Sequence, residues 1–367
     1  MSIQTSEFPC RSGKLGVLTL DSPATLNALT SGMFGQIQRQ LDAWAADDSL
    51  SLVLINASGD RGFSTGADIR EIYHALDRPD AADAVADIIA RGYRTNYTIQ
   101  TFPRPVVTVA QGIAVGGGVG LLQASRYRLV TPTTTLAMPE VDIGLFPGAG
   151  ASWFLNRLPG SIGMFMGLTG ARLNAPDAMR IGMADLAIEH GQQDELIQRI
   201  TDQHWTGEVA ADDNRLFRLL NQLPEAPADA LPDSNLAVHE QNIARCCRRD
   251  ELPRVVQRLL NSTIADDWWQ GCVSRLARAC PVSLLLLEHQ LANGLQMSLQ
   301  DILRMELTMA SNCARHPDLR EGIRARIIDR DNQPRWSHNS LADVTEEFVE
   351  SHFMAHWSEA EHPLADL

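Results

Sequence analysis

Apolar residues in the first half of the chain come in short unbroken stretches separated by glycine-marked turns. Residues 14–20 (KLGVLTL), 52–56 (LVLIN) and 105–110 (PVVTVA) predict strands of a buried sheet. Between the first two, Met33, Phe34, Ile37, Leu41 and Trp44 recur at helical spacing and predict one helix with a single buried stripe. Shorter strands are expected at 128–130 and 135–139. Strands alternating with helices point to an α/β fold. From about Ile188 the pattern changes. Residues 196–220, 252–260, 283–295 and 299–314 read as helices, and the connector 224–233 (PEAPADALPD) reads as a loop or linker. The expected organisation is an α/β region over 1–190 followed by a mostly helical region over 191–367.

Composition and charge narrow the chemistry. With 44% apolar and 21% charged residues the chain is ordinary globular material, and its net charge of -14 argues against nucleic acid as a partner. No apolar run approaches the length of a membrane span, and the N-terminus lacks a basic start followed by an apolar stretch, so the cytoplasm is the expected location. Lys14 is the single lysine, which leaves no P-loop and only one poorly placed candidate for a Schiff base. The cysteines, Cys10, Cys246, Cys247, Cys272, Cys280 and Cys313, form no CxxC pair, and no histidine pattern completes a zinc site. No metal is expected, and reduced, structurally buried thiols fit this scatter.

Three segments carry candidate chemistry. In 62–70 (GFSTGADIR), Gly66 frees the chain to turn so that the amide of Ala67 points outward; the same residues also suit a plain strand-to-helix turn with Asp68 near the helix start. In 111–120 (QGIAVGGGVG), a strand followed by Gly116, Gly117 and Gly118 predicts a helix whose first amides face an open site, as a developing oxyanion requires. Close helix–sheet packing would demand the same glycines. In 138–150 (MPEVDIGLFPGAG), Glu140 follows a proline and precedes an apolar stretch, surroundings that can raise a carboxyl pKa toward neutrality; a lone glutamate on a loop equally suits a solvated surface position. Asp142, alternating away from Glu140, is expected to be a solvated surface residue.

In this order and spacing, and with 22–30 (SPATLNALT) ahead of them, the three segments resemble the crotonase superfamily of enoyl-CoA hydratases and isomerases. The resemblance implies a ββα spiral core and an acyl-CoA thioester as substrate, with no separate cofactor, since coenzyme A is part of that substrate. The amides of Ala67 and Gly117 would then bind the thioester oxygen. Gly66, Asp68, Gly116 and Gly148 would line the substrate, and Glu140 would be the acid–base group or nucleophile. The GGGVGL and IGLFP forms, LRMEL, and DLREGIRARIIDRDNQPRW within 303–336 are similar to the 3-hydroxyisobutyryl-CoA hydrolase branch, over roughly 13–353. This implies release of free CoA from a short 3-hydroxyacyl-CoA, as in valine or fatty-acid breakdown. The chain departs from the pattern at three places. Gly120 stands where hydratases carry a first glutamate, Gly148 where the hydrolases carry an aspartate, and Gly92 before Tyr93 where they carry a glutamate. Ala24 and Thr25 replace a basic residue that meets the nucleotide phosphate, and Arg61 and Arg70 are substitutes unless they are plain surface arginines. Two competing readings follow: hydration or isomerisation of an enoyl-CoA by Glu140 alone, and CoA binding without turnover. Trp153, Phe154, Phe165 and Met166 suit an acyl pocket or plain core. Homo-oligomers are common among related enzymes and are possible here.

Overall fold

The computed structural model describes residues 2–367. Ten strands form: β1 (Ser2–Pro9), β2 (Lys14–Asp21), β3 (Leu50–Ala57), β4 (Gly62–Ser64), β5 (Val106–Ala110), β6 (Ile113–Val115), β7 (Tyr127–Val130), β8 (Thr135–Ala137), β9 (Leu173–Asn174) and β10 (Leu186–Ala187). They build a six-stranded sheet in the order β1-β2-β3-β5-β7-β10 and a four-stranded sheet in the order β4-β6-β8-β9. From β2 to β10 the larger sheet is parallel, with Val53 opposite Val106 and Val107 opposite Tyr127. Its inner strands are buried on both faces, which is why they read as continuous apolar runs. The α/β expectation holds: a mostly parallel sheet is built from strands that alternate with helices.

Two compact units share the chain. The first runs from the N-terminal strand to Gly66 and takes in Thr95–Leu136 and Leu173–Ser234; the second comprises Ala67–Arg94, Ala137–Arg172 and Asn235–Leu367. In the first unit, Leu15, Leu52, Val107 and Leu129 from four parallel strands share one core with Leu196, Ile200, Leu216 and Leu220. The expected Met33–Trp44 stripe is the buried face of the Ser31–Ala45 helix, and Gly16 leaves room for the Trp44 ring, which a Cβ there would meet at 2.9 Å. The second unit is helical, with Leu252–Leu260, Pro281–Gly294 and Leu299–Cys313 near their expected bounds. Phe165 is fully buried there, its ring 5.4 Å from that of Trp269.

Four elements differ from the sequence reading. Strand β1 went unread because four consecutive positions in it are exposed, so it pairs antiparallel at the sheet edge without an apolar signal. The single helix expected over 196–220 is two, Gln193–Thr201 and Val209–Leu220. The break is made by Gly207 at φ +78° and by Asp212, whose carboxylate accepts the amides of Thr206 and Gly207 at 2.8 and 2.9 Å. Helices Asn235–Cys246 and Asp267–Leu276 were unread as well. Five of the six cysteines are buried thiols, and Cys10 is half-buried.

Candidate active site

The SPATLNALT loop acts as a bracket for the GFSTGADIR turn. Asn27 is fully buried at φ +55°, and its side-chain amide donates to the carbonyls of Gly62 (2.8 Å) and Ser58 (3.1 Å). Ser64 Oγ donates to the Asn27 carbonyl and accepts the Gly66 N–H at 3.0 Å. The Gly66 carbonyl in turn accepts the Leu29 N–H at 2.8 Å. In a trans peptide the C=O and the following N–H point in opposite directions, and no cis bond is present among the described residues. The Ala67 N–H is therefore turned away from Leu29, as an outward-facing donor must be.

The same reasoning orients Gly117. The Gly117–Ala124 helix starts after Gly116 at φ +54°, and the Gly116 carbonyl accepts the Gly120 N–H at 3.1 Å. The N–H of Gly117, in the peptide begun by that carbonyl, points out of the helix N-terminus, where no carbonyl one turn back exists to receive it. Glycine is required at both places by contact. A Cβ on Gly66, at φ +73°, would lie 2.5 Å from the Gly117 nitrogen, and one on Gly118 would overlap the Ser64 carbonyl. Close packing and outward amides are one arrangement here.

The acid segment is held by backbone-on-backbone packing within the second unit. Glu140–Ile143 forms a 3-10 turn after Pro139, closed by Gly144 at φ +72°. A Cβ on Gly144 would overlap the Asp318 carbonyl, and one on Gly322 would overlap the backbone of Ile143, so this turn lies directly on the Pro317–Ile323 helix. Asp142 is not the solvated surface residue expected. It is buried, and its carboxylate is paired with Arg326 at 2.7 Å. The expectation rested on strand-like alternation, whereas these residues form a 3-10 turn packed inside the second unit.

Glu140 keeps some exposure as a residue, while its Oε2 is buried without a hydrogen-bond partner. Burial pushes its pKa up to about 8; a bond to its own backbone amide works against this, and the charges of Glu306 and Asp142 add to it. Glu306, on the Leu299–Cys313 helix, is fully buried and accepts the Gly150 N–H (2.8 Å), the Ser152 N–H (2.9 Å) and the Ser152 hydroxyl (2.8 Å). Burial outweighs those bonds and brings its pKa up to about 7. Gln290 ties the same loop by donating to the Pro147 carbonyl at 2.7 Å.

Gly148 faces Tyr93. A Cβ on Gly148 would overlap the Tyr93 hydroxyl, which takes the Ala149 amide as a hydrogen-bond donor. Burial, and after it the charge of Glu306, raises the Tyr93 pKa well above that of an ordinary phenol. The position at which the resemblance implies an aspartate is thus bordered by a neutral phenol.

The other candidates lie as follows. Asp68 caps the Ile69–Ala75 helix, accepting the Arg70 N–H at 2.9 Å, the helix-start role open to it from sequence. Arg61 and Arg70 are exposed, and among the described residues their guanidiniums have no partner, which leaves them free for an anion. No cluster of three His, Cys, Asp or Glu side chains suited to a metal occurs among the described residues. Phe165 and Met166 are core, and half-exposed Trp153 lies under the Arg157 guanidinium at 3.2 Å. Glu306, Tyr93, Gln290 and Arg326 were not read from sequence as site residues. Glu306 did leave a trace: with Ile302, Leu303, Leu307 and Ala310 it falls at helical spacing on the buried face.

A family model described as enoyl-CoA hydratase/isomerase matches residues 15–353. The mitochondrial 3-hydroxyisobutyryl-CoA hydrolase of Danio rerio is 35% identical over 343 residues, covering 93% of this chain and 87% of the relative. The corresponding protein of Homo sapiens is 33% identical, covering 94% and 87%. Among solved structures, an enoyl-CoA hydratase from Rhodobacter sphaeroides superposes with a TM-score of 0.81 at 32% identity, covering 96% of this chain and 97% of its own. A carnitinyl-CoA dehydratase from Mycobacterium thermoresistibile reaches 0.82 at 31% identity, covering 96% of each chain.

Proposed function

Because the chain belongs to the enoyl-CoA hydratase/isomerase family, we propose that it hydrolyses the thioester of a short 3-hydroxyacyl-CoA, with 3-hydroxyisobutyryl-CoA the first candidate substrate. The observation that carries this reading is full-length similarity to relatives named for that hydrolysis. The match spans 93% of the chain and so includes the C-terminal half with LRMEL and DLREGIRARIIDRDNQPRW. In this reading the amides of Ala67 and Gly117 receive the thioester oxygen, and a donor of this kind is worth about 3–4 kcal/mol in the transition state. Arg61 and Arg70 serve the CoA phosphates, for which guanidinium forks are suited. Coenzyme A enters as part of the substrate.

Glu140 acts in its ionised form. It draws a proton from water as the water oxygen bonds to the carbonyl carbon and the C=O electron pair moves onto oxygen. When the adduct collapses, the C–S bond breaks and the sulfur takes the proton from Glu140, leaving the free acid and CoA thiol. The alternative within the same reading has the Glu140 carboxylate attack the carbonyl carbon and expel CoA thiolate as the C–S bond breaks. Water then adds its hydroxyl to the acyl group of the anhydride, freeing the acid and the Glu140 carboxylate, and its other proton goes to the thiolate. The buried, unpartnered Oε2 supports either role.

Hydration of an enoyl-CoA is the second reading. It is favoured by the name of the Rhodobacter sphaeroides neighbour and by Gly148 in place of an aspartate. The deciding assay offers 3-hydroxyisobutyryl-CoA, 3-hydroxypropionyl-CoA and crotonyl-CoA, follows thiol release, and weighs the products. Free CoA that disappears in Glu140→Gln supports hydrolysis; added water with CoA retained supports hydration. Binding without product would leave a CoA-binding protein.

A further inference from the structure

We propose that Glu306, contributed by the C-terminal half, is a positioning residue for Glu140. It clamps the loop after Pro147 through three hydrogen bonds and supplies the second carboxylate that the glycine at 148 leaves out. This rests on the hydrolase reading for its catalytic consequence, though not for its electrostatic one.

The geometry is specific. A buried carboxylate that accepts two backbone amides and one hydroxyl satisfies most of its lone-pair directions, and charge-assisted bonds of this kind are the stronger class. Those amides belong to Gly150 and Ser152, on either side of the start of the Ala151–Phe154 helix. Ala149, just ahead of them, sits at φ +59°, a conformation an alanine adopts only when its surroundings impose it. The Tyr93 hydroxyl receives the amide of this residue, and Gln290 holds Pro147. The loop that follows Glu140 in the chain is therefore fixed at Pro147, Ala149, Gly150 and Ser152, and among the described residues Glu306 is the carboxylate that anchors it.

Three titratable groups bear on Glu140. Glu306 comes from the Leu299–Cys313 helix, Tyr93 from the Ala81–Gln100 helix, and Asp142 from its own turn. Asp142 is countered by Arg326, with Arg275 and Arg278 acting in the same sense. Tyr93 is neutral. Burial is the main reason Glu140 holds its proton, and Glu306 is the less compensated negative charge that adds to it, so the two buried carboxyls titrate as an interacting pair.

The test uses the full chain and four proteins: wild type, Glu306→Gln, Glu306→Asp and Ser152→Ala. Infrared difference titration follows the protonated carboxyl band of Glu140, identified by its loss in Glu140→Gln, and needs no turnover. Glu306→Gln removes the charge, so the Glu140 titration moves to lower pH; Glu306→Asp keeps the charge and stays near wild type. Ser152→Ala takes one bond from the Glu306 anion, which then holds its proton more tightly and repels Glu140 less. The shift has the same direction and is smaller, and it keeps the test open if Glu306→Gln does not fold. In the thiol-release assay, the kcat of Glu306→Gln falls roughly 10- to 100-fold with KM little changed, as expected for a misplaced reacting group. The acid limb of its pH profile moves to lower pH. An unmoved Glu140 titration in both Glu306→Gln and Ser152→Ala overturns the proposal. Absence of thiol release from wild type, with the titration shift present, overturns the hydrolase reading alone.

Discussion

At the residue scale the site depends on two glycines and one glutamate whose roles cannot be exchanged. Gly66 is held at φ +73° with its missing side chain 2.5 Å from Gly117. Gly66→Ala should lose about 1–3 kcal/mol from the left-handed backbone alone, with more from the overlap, read as a lower denaturant midpoint at unchanged slope. Turnover should fall with it, because the Ala67 amide is oriented by the same peptide. Glu140→Gln is the opposite kind of change. It keeps the shape and removes the titrating group, so turnover should drop roughly 10²- to 10⁴-fold with the fold intact. In the proposed hydrolysis the ionised carboxylate is the working form, so measured activity of wild type should rise with pH through about 8. A profile already flat from pH 6 would contradict a base with this pKa.

At the scale of elements, the acid turn has no packing side chain at two of its closest contacts. Gly144 and Gly322 let Glu140–Ile143 lie against the Pro317–Ile323 helix with no Cβ between them. Gly322→Ala should therefore cost about 1–3 kcal/mol by overpacking and reduce turnover although it touches no substrate. Thermal unfolding and thiol release measured together would show both losses; a variant of wild-type stability and rate would mean the turn yields freely. The Asp142–Arg326 pair acts on the same turn from its other side. Arg326→Ala leaves a buried carboxylate without its cation, a loss of about 3–5 kcal/mol in comparable sites. The strands and the long helices that carry these turns were legible because their apolar periods are long. The missed elements show why others were not: β1 is largely solvent-facing, and the break in the 196–220 stretch is made by Asp212 reaching back to the Thr206 and Gly207 amides.

For the whole molecule, two buried carboxyls with raised pKa values lower stability as pH rises, while His352, its pKa brought down to about 4 by burial, acts in the opposite sense up to about pH 6.5. Unfolded, Glu140 and Glu306 titrate near 4.5; folded, they titrate at about 8 and about 7. The folded state binds the extra protons, so their contribution to stability is fullest below the unfolded value and declines as pH rises through 7 and 8. Thermal midpoints measured from pH 5 to 9 should fall across that window, and Glu140→Gln should flatten the decline. A midpoint that climbed toward pH 9 would show that other groups dominate.

The sequence alone determined the local demands of this protein. Short apolar runs require a buried parallel sheet, GFSTGAD and AVGGGVG require glycine where backbones meet, and the proline and glycines around Glu140 require a tight turn. The runs and the turn are properties of neighbouring residues, so a linear pattern can express them, whereas which backbone each glycine meets, Gly117 for Gly66 and Asp318 for Gly144, is set by folding. Only the tertiary structure decided which charges surround Glu140. Glu306 bonds to Gly150 across 156 positions and Arg326 reaches Asp142 across 184, separations at which no spacing rule operates. Whether a buried carboxylate finds a partner depends on what folding packs against it: burial raises the pKa of both Asp142 and Glu140, two positions apart, but only Asp142 meets a guanidinium, while Glu140 Oε2 is left without a partner.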